Sequence, residues 1–262
     1  TCVTFTWMKL CDKLLALTGN PFYADQIEKS LYNALMAALK DDASQIAKYS
    51  PMEGHRCEGE EQCGMHINCC NANGPRAFAL IPDFAVKKMG NEVYVNYYGD
   101  MSASLENGHN KVLVKQHTTY PVSNVIDITI DVTKENVFGL HLRVPVWSAQ
   151  TVITLNGEEL KDICPGTYHA ITRKWKKGDH IQIILDMPAR LLEQNQMQAI
   201  VRGPILLARD SRFNDGFVDE TLVVDSEDGI VKAEVDSVPG FAWMRLKVPV
   251  TVGTDLEGVG MY

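Results

Sequence analysis

The sequence predicts an α+β chain in which helices come first and an antiparallel β-sandwich follows. Three observations predict it: apolar residues recur at helical spacing up to about residue 86, the period then changes to two, and hairpin turn signals punctuate the rest. With 262 residues and 45% apolar content there is enough material for a sizeable core. The expected division is 1–90 helical, 91–210 β-sandwich and 211–262 a further β segment.

The first helix carries Val3, Trp7, Leu10, Leu14 and Leu17 on one stripe, widened by Met8, Cys11 and Leu15. So broad an apolar surface predicts packing on more than one side. Gly19 can close this helix in a left-handed conformation, and Asn20-Pro21 supplies a cap and a first-turn proline for the next. In the second helix Ala24, Ile27, Leu31, Leu35 and Ala38 should face inward, with Asp25, Glu28 and Lys29 outward. A long irregular segment, about 43–72, holds Tyr49, Glu53, His55, His66 and four cysteines. Loops of that length in a compact protein are usually functional or disordered, and these residues favour function. A third helix is expected from Gly74-Pro75 to a stop at Gly90, kinked or cut short by Pro82.

From there "VIDITIDV" (125–132) alternates Ile126, Ile128, Ile130 and Val132 with Asp127, Thr129 and Asp131. "HLRVPVW", "TVITL" and "HIQIILDM" read the same way, as half-buried strands. Asn156-Gly157 is a type I′ hairpin signal, and Lys177-Gly178-Asp179 marks another turn. Trp7, Trp147, Trp175 and Trp243 fall on apolar faces and read as core.

A net charge of −8 without a basic block argues against nucleic acid and anionic membranes, and favours an uncharged substrate. No apolar run approaches the roughly 18 residues of a membrane span. Seven cysteines, an odd number in a core-rich chain, fit a disulfide scaffold poorly. Cys11 and Cys164 read as buried thiols, whereas the adjacent Cys69 and Cys70 ask for an explanation. Incidental burial, a vicinal disulfide and a shared metal ion are all open to that pair on spacing alone.

Several stretches together resemble glycoside hydrolase family 127, the β-L-arabinofuranosidase-type enzymes. They are "TC" opening an apolar helix, "NPFYADQIEKSLYNALMAAL", "KYSPMEG", "NCCNANGPRAF", "LRVPVW", "TLNGE", "GTYHAITRKWKKGDHIQIILDMPARLL" and "VRGPILLAR". The resemblance runs from residue 1 to about 210. It implies the last helices of an (α/α)6 barrel followed by β-sandwich domains, and a glycan substrate. It also implies a Zn2+ ion held by Cys2, Cys69, Cys70 and a glutamate, with Cys69 as the nucleophile of a retaining hydrolysis. Tyr49 matches a tyrosine that faces the sugar. The metal-binding glutamate matches a position ahead of Thr1 and the acid/base glutamate one further upstream, so this chain is expected to be the C-terminal portion of its protein and inactive alone. Cys57 and Cys63 lie outside the pattern, and Arg76 is expected to hold a loop or carboxylate in place rather than touch substrate. The competing readings are a non-catalytic carbohydrate-binding protein with a structural zinc site, and a thiol-redox protein built on the 57–70 cluster.

Overall fold

The structure is a computed structural model that describes residues 1–40, 42–47, 69–194, 197–208, 222–224, 226–238 and 242–252. Two compact units divide it, Thr1–Asp186 and Met187–Tyr262. No helix among the described residues is long and apolar enough to cross a membrane.

In the first unit α1 spans Cys2–Thr18 and ends where Gly19, at φ 67°, turns its N–H back onto the Leu15 carbonyl. The Asn20 side chain accepts the Phe22 N–H at 3.0 Å and starts α2, Phe22–Lys29, which runs on through a π-helical turn at Ser30–Leu35. Ala24, Ile27, Leu31, Leu35 and Ala38 are buried, as their spacing requires. α3 occupies Cys69–Ala85 and packs on α1.

The third helix differs from expectation at both ends. It starts five residues before Gly74, so Cys69 and Cys70 form its first turn and Pro75 lies inside it. Proline's fixed φ is helical, so the cost is one backbone hydrogen bond rather than a break. It stops at Ala85, because Val86–Met89 is a strand, β1, paired with β2 at Glu92–Val95 around Gly90 at φ 62°. Its last carbonyls are met from downstream: Asn96 Nδ2 donates to the Phe84 carbonyl at 2.8 Å, and the Asn96 N–H to that of Ala85 at 2.8 Å. Those partners lie beyond any local helix-stop signal.

Eight further strands complete this unit: β3 (Met101–Asn107), β4 (Asn110–His117), β5 (Val125–Val132), β6 (Asn136–Val144), β7 (Val152–Leu155), β8 (Glu158–Glu159), β9 (Thr167–Trp175) and β10 (Asp179–Ile184). They form a four-stranded sheet, β1-β2-β6-β9, and a six-stranded one, β3-β4-β5-β10-β7-β8. Ile126, Ile128 and Ile130 are fully buried, and Asn156 and Gly157 both take positive φ in their hairpin. One pairing is parallel, β2 with β6 in the register Tyr94↔His141, where antiparallel pairing throughout was expected. Parallel neighbours need a long crossover, and residues 96–135 supply it through three strands of the other sheet.

The tryptophans and cysteines do not all lie inside. Trp175 is fully buried, but Trp7 is 39% exposed, together with Val3, Leu10 and Leu17; α1 buries Met8, Cys11 and Leu15 instead. Cys164 is exposed.

The second correction is electrostatic. Asp25 and Glu28 do not face solvent; both are buried beneath α2. Arg143 of β6, itself fully buried, donates from Nη1 to Asp25 and from Nη2 to Glu28 Oε1 at 2.7 Å. The Tyr120 hydroxyl also donates to Glu28 Oε1, at 2.7 Å, and the Val146 N–H to Asp25 Oδ2 at 3.2 Å. Two carboxylates and one guanidinium so closely bonded make burial tolerable. Helix spacing alone could not reveal a counter-charge 115 residues away.

The strands of the second unit are β11 (Ala189–Gln194), β12 (Met197–Arg202), β13 (Ile205–Leu206), β14 (Leu222–Val224), β15 (Ser226–Glu227), β16 (Ile230–Val231), β17 (Glu234–Val238), β18 (Ala242–Lys247) and β19 (Val250–Val252). They form the five-stranded sheet β13-β12-β11-β16-β15 and two strand pairs, β14 with β19 and β17 with β18.

Candidate metal centre

Two helix starts meet at the site. Cys2 is the first residue of α1, and Cys69 and Cys70 are the first two of α3. Each start carries the positive end of a helix dipole, a setting that favours anionic sulfur. The Thr1 hydroxyl donates to the Ala47 carbonyl at 2.7 Å, and Ile46, bridged to Leu39, lies next to Ala47 in the chain. Gly74 permits the approach of Ile46: a Cβ there would stand 2.2 Å from Ile46 Cδ1.

The Sγ atoms of Cys2 and Cys69 are 3.2 Å apart and those of Cys2 and Cys70 are 3.6 Å apart; all three lie within 4.8 Å of one another. Disulfide bonding needs about 2.05 Å, so Cys2 is joined to neither of the other two. Around a tetrahedral ion with sulfur at about 2.3 Å, sulfurs stand roughly 3.8 Å apart, and the observed spacing is close to that. This is the one group of three potential ligands so arranged among the described residues, and it could hold a metal ion. The three thiols differ in access: Cys69 is exposed, Cys2 half-buried and Cys70 buried.

Their environments also differ electrostatically. Burial pushes the Cys2 thiol up, but the Asn73 side-chain amide, donating to its sulfur at 3.1 Å, and the two neighbouring thiols outweigh that and bring it below the usual thiol value. Cys69 is raised, first by its hydrogen bond with Cys2 and then by burial. Cys11, by contrast, is pushed up to about 11 by burial alone and is an inert core thiol.

The structure brings Cys2, Cys69 and Cys70 together in a group that could hold a metal ion. Tyr49 lies outside the described residues, as do Glu53, His55, Cys57, Cys63 and His66. Arg76, expected to hold a loop or a carboxylate, instead donates from Nη1 to the side-chain amide of Asn73 on its own helix, at Oδ1 and 3.3 Å. Asn73 escaped the sequence reading, although its spacing of four from Cys69 and three from Cys70 would place it on their side of a helix begun early enough.

Comparison with known proteins meets this geometry from another direction. Residues 1–83 match the catalytic domain of the GH127 β-L-arabinofuranosidases and residues 92–187 match their middle domain. A non-reducing end β-L-arabinofuranosidase of Bifidobacterium longum subsp. longum is 23% identical over 244 residues, which cover 82% of this chain and 36% of that protein. The chain therefore spans little more than a third of that relative's length. A solved glycoside hydrolase superposes with a TM-score of 0.81 at 22% identity, over 99% of this chain and 46% of that one. The GH127 β-L-arabinofuranosidase from Geobacillus stearothermophilus T6 gives 0.79 at 22% identity, over 92% and 40%. Both domain matches name one family in sequence order, these relatives share its fold, and the chain accordingly belongs to glycoside hydrolase family 127.

Proposed function

We propose that this chain carries the nucleophile side of a zinc-dependent, retaining glycosidase that releases a terminal furanose, β-L-arabinofuranose by the resemblance to its relatives. The observation that carries the reading is the convergence of three sulfurs at two helix starts, of which only Cys69 is exposed. Cys2, Cys69 and Cys70 would hold Zn2+, which when bound keeps its cysteine ligands ionised at neutral pH. Cys70, buried, and Cys2, bonded to Asn73, are holders; Cys69 is the sulfur that a sugar can reach.

The reaction then balances as a double displacement. The Cys69 thiolate attacks the anomeric carbon and the bond to the aglycone oxygen breaks, that oxygen taking a proton from a carboxyl acid which the resemblance places outside residues 1–262. Water next attacks the same carbon, gives its proton to that carboxylate, and the carbon–sulfur bond breaks. Two inversions leave the configuration retained. Tyr49 is proposed as a sugar contact. Residues 1–90 would belong to an (α/α)6 barrel, with 91–210 as a β-sandwich domain and 211–262 as a further β segment; the exposed apolar stripe Val3, Trp7, Leu10 and Leu17 supports a neighbouring barrel helix against α1.

The test is zinc content of the chain, wild type against Cys69→Ser and Cys70→Ser, with hydrolysis of p-nitrophenyl β-L-arabinofuranoside assayed in the longer protein that the mechanism requires. Near-stoichiometric zinc, depleted in both variants, with hydrolysis abolished by Cys69→Ser, is expected. Zinc without hydrolysis of any furanoside would favour a structural site in a carbohydrate-binding protein, and absence of zinc from the wild type would end the reading.

A further inference from the structure

Resting on the reading of the three thiols as a metal centre, we infer that Asn73 and Arg76 are a positioning pair that assigns Cys2 the role of spectator ligand and leaves Cys69 as the reactive sulfur. The two ends of the Asn73 side-chain amide are opposite in character. Only its NH2 end can stabilise an anionic sulfur, and that end meets Cys2 Sγ at 3.1 Å. The Arg76 guanidinium bonds the other end, Oδ1, at 3.3 Å. Arginine has no acceptor, so this contact is possible in one amide orientation only, and a flipped Asn73 would set lone pairs against the thiolate and N–H against N–H.

Helical spacing keeps the relay together. Cys69, Cys70, Asn73 and Arg76 all belong to α3, within two turns, while Cys2 comes from α1, so the pair also ties the two helix starts to each other. An N–H donor on a ligating sulfur withdraws electron density from it, which makes that sulfur a poorer nucleophile without removing it from the metal. The donor is aimed at Cys2 and not at the exposed Cys69, the same division of labour that access alone implies. Charge favours the arrangement too: three thiolates exceed the charge of a divalent ion by one, and the Arg76 cation lies one side chain away.

The test uses the 262-residue chain with Zn2+ and Co2+, reading zinc affinity by chelator competition and the sulfur-to-cobalt charge-transfer band by absorption. Asn73→Leu, near-isosteric and without a donor, should weaken zinc about 10-fold or more and move the band to lower energy. Arg76→Met, at an exposed position where folding is not at stake, should shift both in the same direction by less, and Arg76→Lys should recover most of the change. Wild-type affinity and an unmoved band in both Asn73→Leu and Arg76→Met would overturn the inference while leaving the metal centre standing. A wild-type chain that takes up neither ion would remove the metal reading and the inference together.

Discussion

The three thiols at the helix starts and the Arg143 cluster beneath α2 both join distant segments, 67 and 68 residues apart in one and up to 121 in the other, yet only the second pairs opposite charges. Arg143 meets its counter-charges in Asp25 and Glu28, and Tyr120 and Val146 supply further donors, all within the fold. The sulfurs of Cys2, Cys69 and Cys70 meet chiefly one another, and one of them faces outward. A cluster that pairs opposite charges inside the fold holds architecture in place, whereas one that gathers like groups could take up a partner from outside. The two should therefore fail differently: one through stability, the other through binding.

The largest effect expected is on the charge-paired cluster. Arg143→Met leaves two carboxylates buried beside each other and should cost about 3–5 kcal/mol in urea unfolding. Combining it with Asp25→Leu and Glu28→Leu should recover much of that loss, since removing the whole set removes the uncompensated charge as well. A single variant within about 1 kcal/mol of wild type would show that the cluster is solvated, and the contrast with the thiols would collapse.

Tyr120→Phe probes the same cluster more gently. Burial, then the nearby Glu28 charge, push this phenol well above the ordinary tyrosine value, so it remains a hydrogen-bond donor throughout the useful pH range. Its loss should cost about 1.5–3 kcal/mol, the usual worth of a bond to a charged acceptor, and leave zinc uptake at the thiols unchanged. A fall in zinc uptake at constant fold would mean that the two clusters are coupled.

The contrast also explains which parts of the molecule were legible from sequence. The strand alternation at 125–132, the Gly19 cap and the Asn156-Gly157 hairpin are decided by neighbours within a few residues, and each stands where its pattern put it. Cys2, Cys69 and Cys70 were singled out through several motifs in order, and their meeting needs two helices brought together. Asp25 and Glu28 were misplaced because polar residues on a helix normally mark the wet face, and their partner lies on a strand more than a hundred residues later. The end of α3 was misplaced for a similar reason: β1 pairs with β2 across Gly90, and Asn96 receives the carbonyls that a local cap would have taken. Long-range partners override local signals wherever a backbone or a charge has to be satisfied.

Gly74→Ala tests the packing of Ile46 against α3. Alanine favours a helix by about 1 kcal/mol over glycine, but its Cβ would meet Ile46 Cδ1 at 2.2 Å in a buried setting. Overpacking of about 1–3 kcal/mol should win by a small margin, giving net destabilisation of about 1 kcal/mol. Adding Ile46→Ala removes the clash, so the double-mutant cycle should show favourable coupling between the substitutions. Strict additivity would mean that Ile46 does not rest on Gly74.

The smallest effect belongs to the solvent side of the six-stranded sheet. Lys115 Nζ bonds Asp131 Oδ2 at 2.9 Å, and that hydrogen bond is the first cause holding the Asp131 carboxyl below its ordinary value. A depressed carboxyl contributes stability that is present above its unfolded pKa and is lost as pH falls through the folded one. Asp131→Asn should therefore cost only a few tenths of a kcal/mol at pH 7, since the pair is screened by water. The difference from wild type should narrow as pH falls below about 4 and shrink with added salt. Denaturant unfolding at pH 7 and pH 3 reads this directly, and a difference that stayed constant across that range would assign the effect to the bond from the Gly178 N–H to Asp131 Oδ1 rather than to charge.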